Sequence, residues 1–446
     1  MGETGLNPSS ALSPETWPFR LEWLPRPAYL VGGAVRDALL GRQAEYLDLD
    51  FVLPTGSVEA ADAIARRCGA GFVVLDAERQ IARVVFERAT ADFALQEGKS
   101  LENDLQRRDF TVNAIAYDPH HNQLIDPLQG HPDLRQGRLR MVSARNLKDD
   151  PLRLLRAYRQ AAQLGFNLDP ETQATIRQLA GSIAQIAAER VQTELSYLLS
   201  TSIGSQWIQT VWQDGLLVPW LPDTTHTGVG LVLLLDQIAQ RSQQIWPDFA
   251  ATLWHSLRQR APGGARHRLT AAKLACLLPT DLEPANTQLN RLKYSRAEIQ
   301  AALPVCQYLS QRQSIAILST LSLREQYFFF RATGAAFPSV AIAAIASEIA
   351  ANNKAENLDS TAPTDTIDAL LNRIAPLIHR FLNASDPVAH PTSPIAGREL
   401  MAALHLNPGP KIGQLLEAIQ LAQAEGKITT PKEALIFAAD LHAKDL

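Results

Sequence analysis

The feature that most constrains this chain is a change of grammar near Lys148. Up to about Asp118, short apolar runs alternate with helical stretches; beyond Lys148 the strand signals fade. Ala, Leu, Gln and Arg then recur at helical spacing through Leu199 and again from about Leu231 to Ile349. A chain written this way builds its sheet only in the first part, as an α/β head followed by an all-α remainder. Tyr29–Val31, Asp48–Leu53, Phe72–Leu75, Arg83–Phe86 and Ala91–Leu95 read as strands. Ala34–Leu40 reads as a helix closed by Gly41, and Val58–Arg67 as one capped by Ser57 and stopped by Gly69. Residues 1–27, rich in Pro, Ser and Gly, read as a poorly ordered lead, so the fold is expected to begin at Ala28. The polar stretch Asn352–Asp365 and the proline-rich Ser385–Pro394 read as linkers that set off a C-terminal helical piece.

Composition narrows the partners. Lys plus Arg is 42 against 46 Asp plus Glu, a net charge of −4, which excludes a uniformly basic coat. Between Asp133 and Arg159, however, eight basic residues face three acids, which reads as a local positive path for nucleic acid. Cys68, Cys276 and Cys306 are too few and too scattered for a disulfide framework or a Cys-based zinc site, which suits a reducing cytoplasm. The strongest apolar run, around Gly228–Leu235, falls well short of the ~18 residues that span a bilayer. The first residues carry no secretory pattern, so no membrane partner is expected.

Four motifs carry chemistry. In Tyr29–Asp37 (YLVGGAVRD) an apolar strand runs through Gly32 and Gly33 into a helix. The amides at the helix start, with Arg36, suit a phosphate, although two glycines can equally make only a tight turn. In Asp48-Leu49-Asp50 strand alternation puts both carboxylates on one face and Leu49 and Phe51 on the other. Two like charges so placed call for a positive group between them, and a pair of Mg²⁺ ions is the economical answer, with two solvated acids as the alternative. Arg107-Arg108-Asp109-Phe110-Thr111-Val112-Asn113 offers donors and acceptors suited to triphosphate and ribose. In Asp149-Asp150-Pro151-Leu152-Arg153, Asp150 and Pro151 are ordinary helix-start residues, and Arg156 can be a solvated face. Yet Asp150 and Arg153, three apart, can also meet on the first turn and read a base that carries an exocyclic amine, cytosine or adenine.

In this order the four motifs resemble the bacterial-type (class II) tRNA nucleotidyltransferase and poly(A) polymerase family. The resemblance implies a polymerase-beta-like head with a mixed sheet at 28–142, a base-recognising neck at 143–215, a helical body at 216–385 and a tRNA-binding tail at 386–446. It implies that Asp48 and Asp50 bind two catalytic Mg²⁺ ions, with Asp92 a candidate third carboxylate. Gly32, Gly33 and Arg36 would hold triphosphate, and Arg107, Arg108, Asp109 and Asn113 would contact the nucleotide. Asp150 and Arg153, supported by Asp149 and Arg156, would select the base, with CTP and ATP as substrates. Glu189 and Arg190 resemble the helix-stabilising motif that follows, and Gly409, Lys411 and Gly413 the tail that grips the outer corner of tRNA.

The expected activity is template-independent extension of tRNA 3′ ends with cytidine, with or without the terminal adenosine. Two departures bear on that choice. The base-reading motif begins with Asp149 where the family has Glu, and the segment 93–106 is shorter than the flexible loop of full CCA-adding enzymes. Shortening of that loop is associated with members that add only the two cytidines. Poly(A) synthesis ranks third, since its basic signature is not evident around Val73–Arg83, and a non-catalytic tRNA-binding protein is the reading from a different class. DNA is not expected as a partner.

Overall fold

The computed structural model describes residues 11–42, 46–257, 266–311, 314–352 and 362–444. Residues 1–10 of the expected lead and 353–361 of the first expected linker lie outside this set. The chain divides into two compact units, the first made of Met1–Ile186 with Asp214–Leu216, the second of Ala187–Gln213 with Leu217–Leu446.

The first unit is built on a mixed sheet of seven strands: β1 (Tyr29–Val31), β2 (Leu47–Leu53), β3 (Gly71–Asp76), β4 (Ile81–Val85), β5 (Ala89–Leu95), β6 (Ala116–Asp118) and β7 (Gln123–Ile125). Their order is β3-β4-β5-β2-β1-β6-β7. β2 and β5 pair in parallel and every other neighbour is antiparallel. The five expected strands are present, and the hairpin β6–β7 adds two short ones that carry little period-2 signal. A two-residue parallel pair, Arg138–Leu139 with Asn167–Leu168, extends strand structure slightly past Lys148.

Helices α1 (Gly33–Leu39), α2 (Ser57–Cys68) and α3 (Leu101–Gln106) connect strands, followed by α4 (Gly130–Gln136), α5 (Ala144–Asp149), α6 (Leu152–Leu164) and α7 (Pro170–Leu179). The expected Ser57 cap is corrected: Gly56 occupies the cap position, and the Ser57 hydroxyl donates instead to the Gln80 carbonyl at 2.6 Å. α6 turns Leu154, Leu155, Tyr158 and Ala161 inward at no more than 2% exposure. The buried Tyr158 hydroxyl donates to Asp214, whose Oδ2 also accepts from Gln173 Nε2 at 2.9 Å and whose Oδ1 takes the Arg177 guanidinium.

The lead is also corrected from Leu12 onward. Leu12, Trp17, Phe19 and Leu24 are buried. Trp17 meets Phe51 edge-on with centroids 5.1 Å apart, and Phe19 lies 6.2 Å from Phe93. Pro and Ser disguised this segment as linker, whereas its aromatics cover the apolar face of β2 and β5. Trp17→Ala is expected to destabilise the first unit by about 3–5 kcal/mol; a loss under about 1 kcal/mol by chemical denaturation would make the segment an accessory.

The named elements of the second unit are all helices among its described residues, joined by loops and one isolated antiparallel bridge, Ser256 with His267. The helical stretch Leu323–Asn352 corrects the reading that Gly228–Leu235 is the strongest apolar run: it is long and apolar enough to cross a membrane, but 67% of its most apolar part is buried inside the protein, as in a core helix. Within the unit, Lys273, 1% exposed, pairs with Asp236 at 2.6 Å and donates to the Leu199 carbonyl at 3.0 Å. Near its end, helices Gly397–Leu404, Pro410–Ala424 and Pro431–Lys444 share an apolar cluster that includes Leu400, Leu415 and Ile419.

Candidate active site

The site is laid out on neighbouring strands. On β2, Leu49 and Phe51 are buried at 0% and 1% exposure while Asp48 is exposed and Asp50 half-buried, so the two acids share the opposite face. Across the sheet Asp48 stands beside Thr90 and Asp50 beside Asp92, and Asp92 in turn beside Arg83. Thr90 Oγ1 donates to Asp48 Oδ1 at 2.6 Å. Burial, then the charges of Asp48 and Asp92, push the Asp50 carboxyl up to about 6, against the pull of Arg108 and Arg83. The face therefore holds an excess of negative charge, as a cation site would.

Asp92, the candidate third carboxylate, is paired here: both its oxygens accept from Arg83, Nε and Nη2, each at 2.7 Å. Among the described residues no group of three or more His, Cys, Asp or Glu side chains is assembled to hold a metal. Asp48 and Asp50 alone fit Mg²⁺, which is commonly held by one or two carboxylates with water and substrate phosphate completing its shell.

At the strand-to-helix turn Gly32 has φ +74°, and a Cβ there would lie 3.3 Å from Arg108 Nη1 and 3.4 Å from Asp50 Oδ2. Backbone, guanidinium and carboxylate thus close together where the motif reading places phosphate. Arg36 does not reach outward: Nε and Nη2 donate to Asp37 at 2.9 Å, and Nη1 donates to Asn113 Oδ1 at 2.8 Å. Arg108 Nη2 pairs with Asp104 at 3.1 Å, whose other oxygen accepts the Glu97 amide at 3.0 Å. Arg107 is exposed and pairs with Glu97 at 2.7 Å. The five residues between β5 and α3, Gln96–Ser100, are accordingly tied at both ends, with Gln96 N donating to the Leu53 carbonyl at 2.7 Å.

Asp109 and Asn113 are brought to this neighbourhood but lie inside it, at 7% and 6% exposure. Asp109 Oδ1 accepts from Phe110 N at 2.8 Å and Asn113 Nδ2 at 2.9 Å, and Oδ2 accepts from Arg156 Nη2 at 2.9 Å. Burial acts to raise the Asp109 carboxyl, but Arg156, Asn113 and Phe110 outweigh it and hold it below the usual carboxylate range. A depressed native pKa contributes stability that is present above the unfolded value of about 4 and is lost as pH falls through the native value. Denaturation between pH 7 and pH 3 is expected to show a steeper acid loss in the parent chain than in Asp109→Asn; parallel curves would contradict this.

At the start of α6, Asp150 Oδ1 accepts the Leu152 amide at 3.3 Å, as a helix-start residue. Arg153 Nη1 donates to the carbonyls of Arg107 at 2.8 Å and Asn146 at 3.2 Å, which aims the guanidinium from the backbone of the Arg107–Asn113 motif. Asp149, expected to support Arg153, lies 3.6 Å from Arg145 instead. The local positive path is partly neutralised as well: Arg138 and Arg140 close on the fully buried Asp133 at 2.5 and 2.8 Å, and Arg156 on Asp109. Glu189 and Arg190 lie exposed in the first turn of α8 (Ala188–Leu199). A helix does begin at Pro410, but Gly409 there has φ 174°, which any residue adopts, and Gly413 is exposed while Lys411 is half-buried.

Sequence reasoning passed over Arg83, Thr90, Asp104, Asn146 and Gln160. Asp104 was within reach, four residues before Arg108 on one helical turn. Thr90 and Arg83 become relevant only through strand register, and Asn146 through its side-chain bonds to the Gln106 and Arg108 carbonyls at 2.7 and 2.8 Å.

Similarity to known proteins covers most of the chain. Residues 28–140 match the poly A polymerase head domain, 165–227 a family described as an RNA and SrmB-binding site of polymerase A, and 266–439 tRNA nucleotidyltransferase domain 2. The CC-adding tRNA nucleotidyltransferase of Synechocystis sp. is 46% identical over 95% of this chain and 96% of its own length. The A-adding tRNA nucleotidyltransferase of Deinococcus radiodurans is 32% identical over 93% and 95%. A CCA-adding enzyme solved with ATP shares the fold at a TM-score of 0.66 and 21% identity, over 92% of this chain and 90% of that one. With the acidic pair, the glycine turn and the α6 arginines on one framework, and with similarity running nearly end to end, this chain belongs to the bacterial-type CCA- and CC-adding tRNA nucleotidyltransferase family.

Proposed function

We propose that the chain transfers cytidylate from CTP to the 3′ end of tRNA and stops after the two cytidines. The observation that carries the cytidine-only reading is the segment Gln96–Ser100, five residues long and tied through Asp104, Arg107 and Leu53. A segment so short and so anchored has no reach to reshape a base pocket for a second nucleotide. The 46% identical relative is named as CC-adding, which supports the same reading.

The terminal 3′-hydroxyl would attack the α-phosphorus of CTP with loss of pyrophosphate. Asp48 and Asp50 would hold Mg²⁺, which when bound supplies activation of that hydroxyl and charge neutralisation at the leaving group. Arg108, beside Asp50 and the Gly32 turn, would neutralise the triphosphate, with Arg107 joining once released from Glu97. Asp150 and Arg153 would read the base, the carboxylate accepting from the exocyclic amine and the guanidinium donating to ring acceptors. Lys411 at the helix Pro410–Ala424 would meet backbone phosphate at the outer corner of tRNA. The setting is cytoplasmic.

Purified protein with Mg²⁺ is assayed on tRNA lacking its 3′ triplet with CTP, and on tRNA ending in CC with ATP. Two cytidines on the first and nothing on the second are expected. Adenylate incorporation on the second would establish the full CCA reaction in place of the cytidine-only one, and no incorporation on either would refute the catalytic reading.

A further inference from the structure

Gln160 belongs to none of the motifs, yet it is a buried amide at the centre of the first unit. It is 3% exposed on α6, seven residues after Arg153 and four after Arg156, a spacing that puts all three on one side of the helix. Its Oε1 accepts from Asn113 Nδ2 at 2.9 Å, and its Nε2 donates to Asp109 Oδ2 at 3.3 Å. Asn113 also donates to Asp109 Oδ1 at 2.9 Å and accepts from Arg36 Nη1 at 2.8 Å, so the chain of bonds runs from α1 to α6 through the Arg107–Asn113 motif.

We propose that Gln160 is a positioning residue for base selection, fixing the rotation of α6 about its axis and thereby the place of Arg153. The proposal rests on the reading of Asp150 and Arg153 as the base-recognising pair. An apolar side chain of the same size would fill the space, but contacts between alkyl groups are non-directional and leave the helix free to settle by a few degrees. A carboxamide with donor and acceptor both engaged in a buried site holds one orientation, because any other leaves polar groups unpaired. The lever arm makes small rotations matter. Side-chain tips ride about 5–6 Å from a helix axis, so a turn of about 10° moves a guanidinium by about 1 Å. A displacement of that size can cost on the order of 10²-fold in a reaction that depends on positioning.

The selectivity at stake is narrow. Cytosine and uracil have nearly the same shape and differ at the Watson–Crick edge, where the amine and unprotonated ring nitrogen of one are a carbonyl and ring N–H in the other. Discrimination between them depends on where donors and acceptors stand, while packing alone treats them alike. Loosening α6 should therefore raise uridylate incorporation relative to cytidylate.

The test measures kcat/KM for CTP and for UTP on tRNA lacking its 3′ triplet, with melting temperature alongside. Gln160→Met keeps the volume and removes both bonds, and Gln160→Asn keeps the carboxamide one methylene short. Trp17→Ala serves as the control, since it weakens the same unit from the opposite face of the sheet. The expected result is a rise in the UTP/CTP ratio of about tenfold or more for Gln160→Met, a smaller rise for Gln160→Asn, and an unchanged ratio for Trp17→Ala. If Gln160→Met lowers the melting temperature but keeps the parent's ratio, or if Trp17→Ala raises the ratio equally, Gln160 is only a packing residue and the proposal falls. If Gln160→Met does not fold, the Gln160→Asn ratio decides in the same way. A parent chain that incorporates no cytidylate refutes the underlying function, an outcome separate from failure of the Gln160 assignment.

Discussion

Asp48→Ala or Asp50→Ala is expected to lower cytidylate incorporation by at least about 10³-fold, on the order of 4 kcal/mol of transition-state stabilisation. Stability should not follow. On the described face Asp50 carries the repulsion of Asp48 and Asp92, and relieving one charge of that group removes a cost from the folded state. The pairing of a lost activity with an unchanged or raised melting temperature separates a reacting site from a structural one. Asp92→Asn is expected to behave differently, because it breaks the two-bonded pair with Arg83 and leaves that guanidinium facing Asp48 and Asp50. Its effect should appear first in Mg²⁺ affinity, read by titrating the metal alone. An incorporating Asp48→Ala protein would refute the catalytic assignment.

An effect on stability as large as that of Trp17→Ala is expected in the second unit. Asp236→Ala leaves the ammonium of Lys273, 1% exposed, facing the Leu199 carbonyl without its counter-charge, and the loss should be about 3–5 kcal/mol. Burial already draws the Lys273 ammonium below its ordinary value, with Asp236 working against that. Replacing both partners, Asp236→Leu with Lys273→Met, should recover most of the loss, since neither charge then has to be dehydrated. Calorimetry on the two variants checks this: a double variant as unstable as the single one would mean that the pair is held for shape.

Local regularity explains how far the sequence could be read. The β2 alternation of Asp48, Leu49, Asp50 and Phe51 depends only on neighbouring residues, and so do the α1 start at the glycines and the helix at Pro410; all three are present as read. What escaped depends on partners distant in sequence. Trp17 and Phe19 look like linker until the apolar face of β2 and β5 is seen to need covering. The pairing of Asp92 with Arg83 is invisible until strand register sets the two side by side. The charge surplus from Asp133 to Arg159 looks like a surface until Asp133 and Asp109 are found inside it. Asp109 and Asn113, expected to contact the nucleotide, lie buried in its expected neighbourhood, where their bonds make them internal framework.

The return of the chain to the first unit at Asp214 has a practical consequence for anyone who would isolate or exchange the catalytic part. A fragment ended at Ile186 retains all seven strands but lacks the carboxylate that satisfies Tyr158, Gln173 and Arg177. Such a truncation removes an acceptor of Tyr158 and of Gln173 at α6, the helix that carries Arg153. The severed head would lose support at the helix that carries Arg153, so exchanging this unit between relatives requires the segment around Asp214 to travel with it.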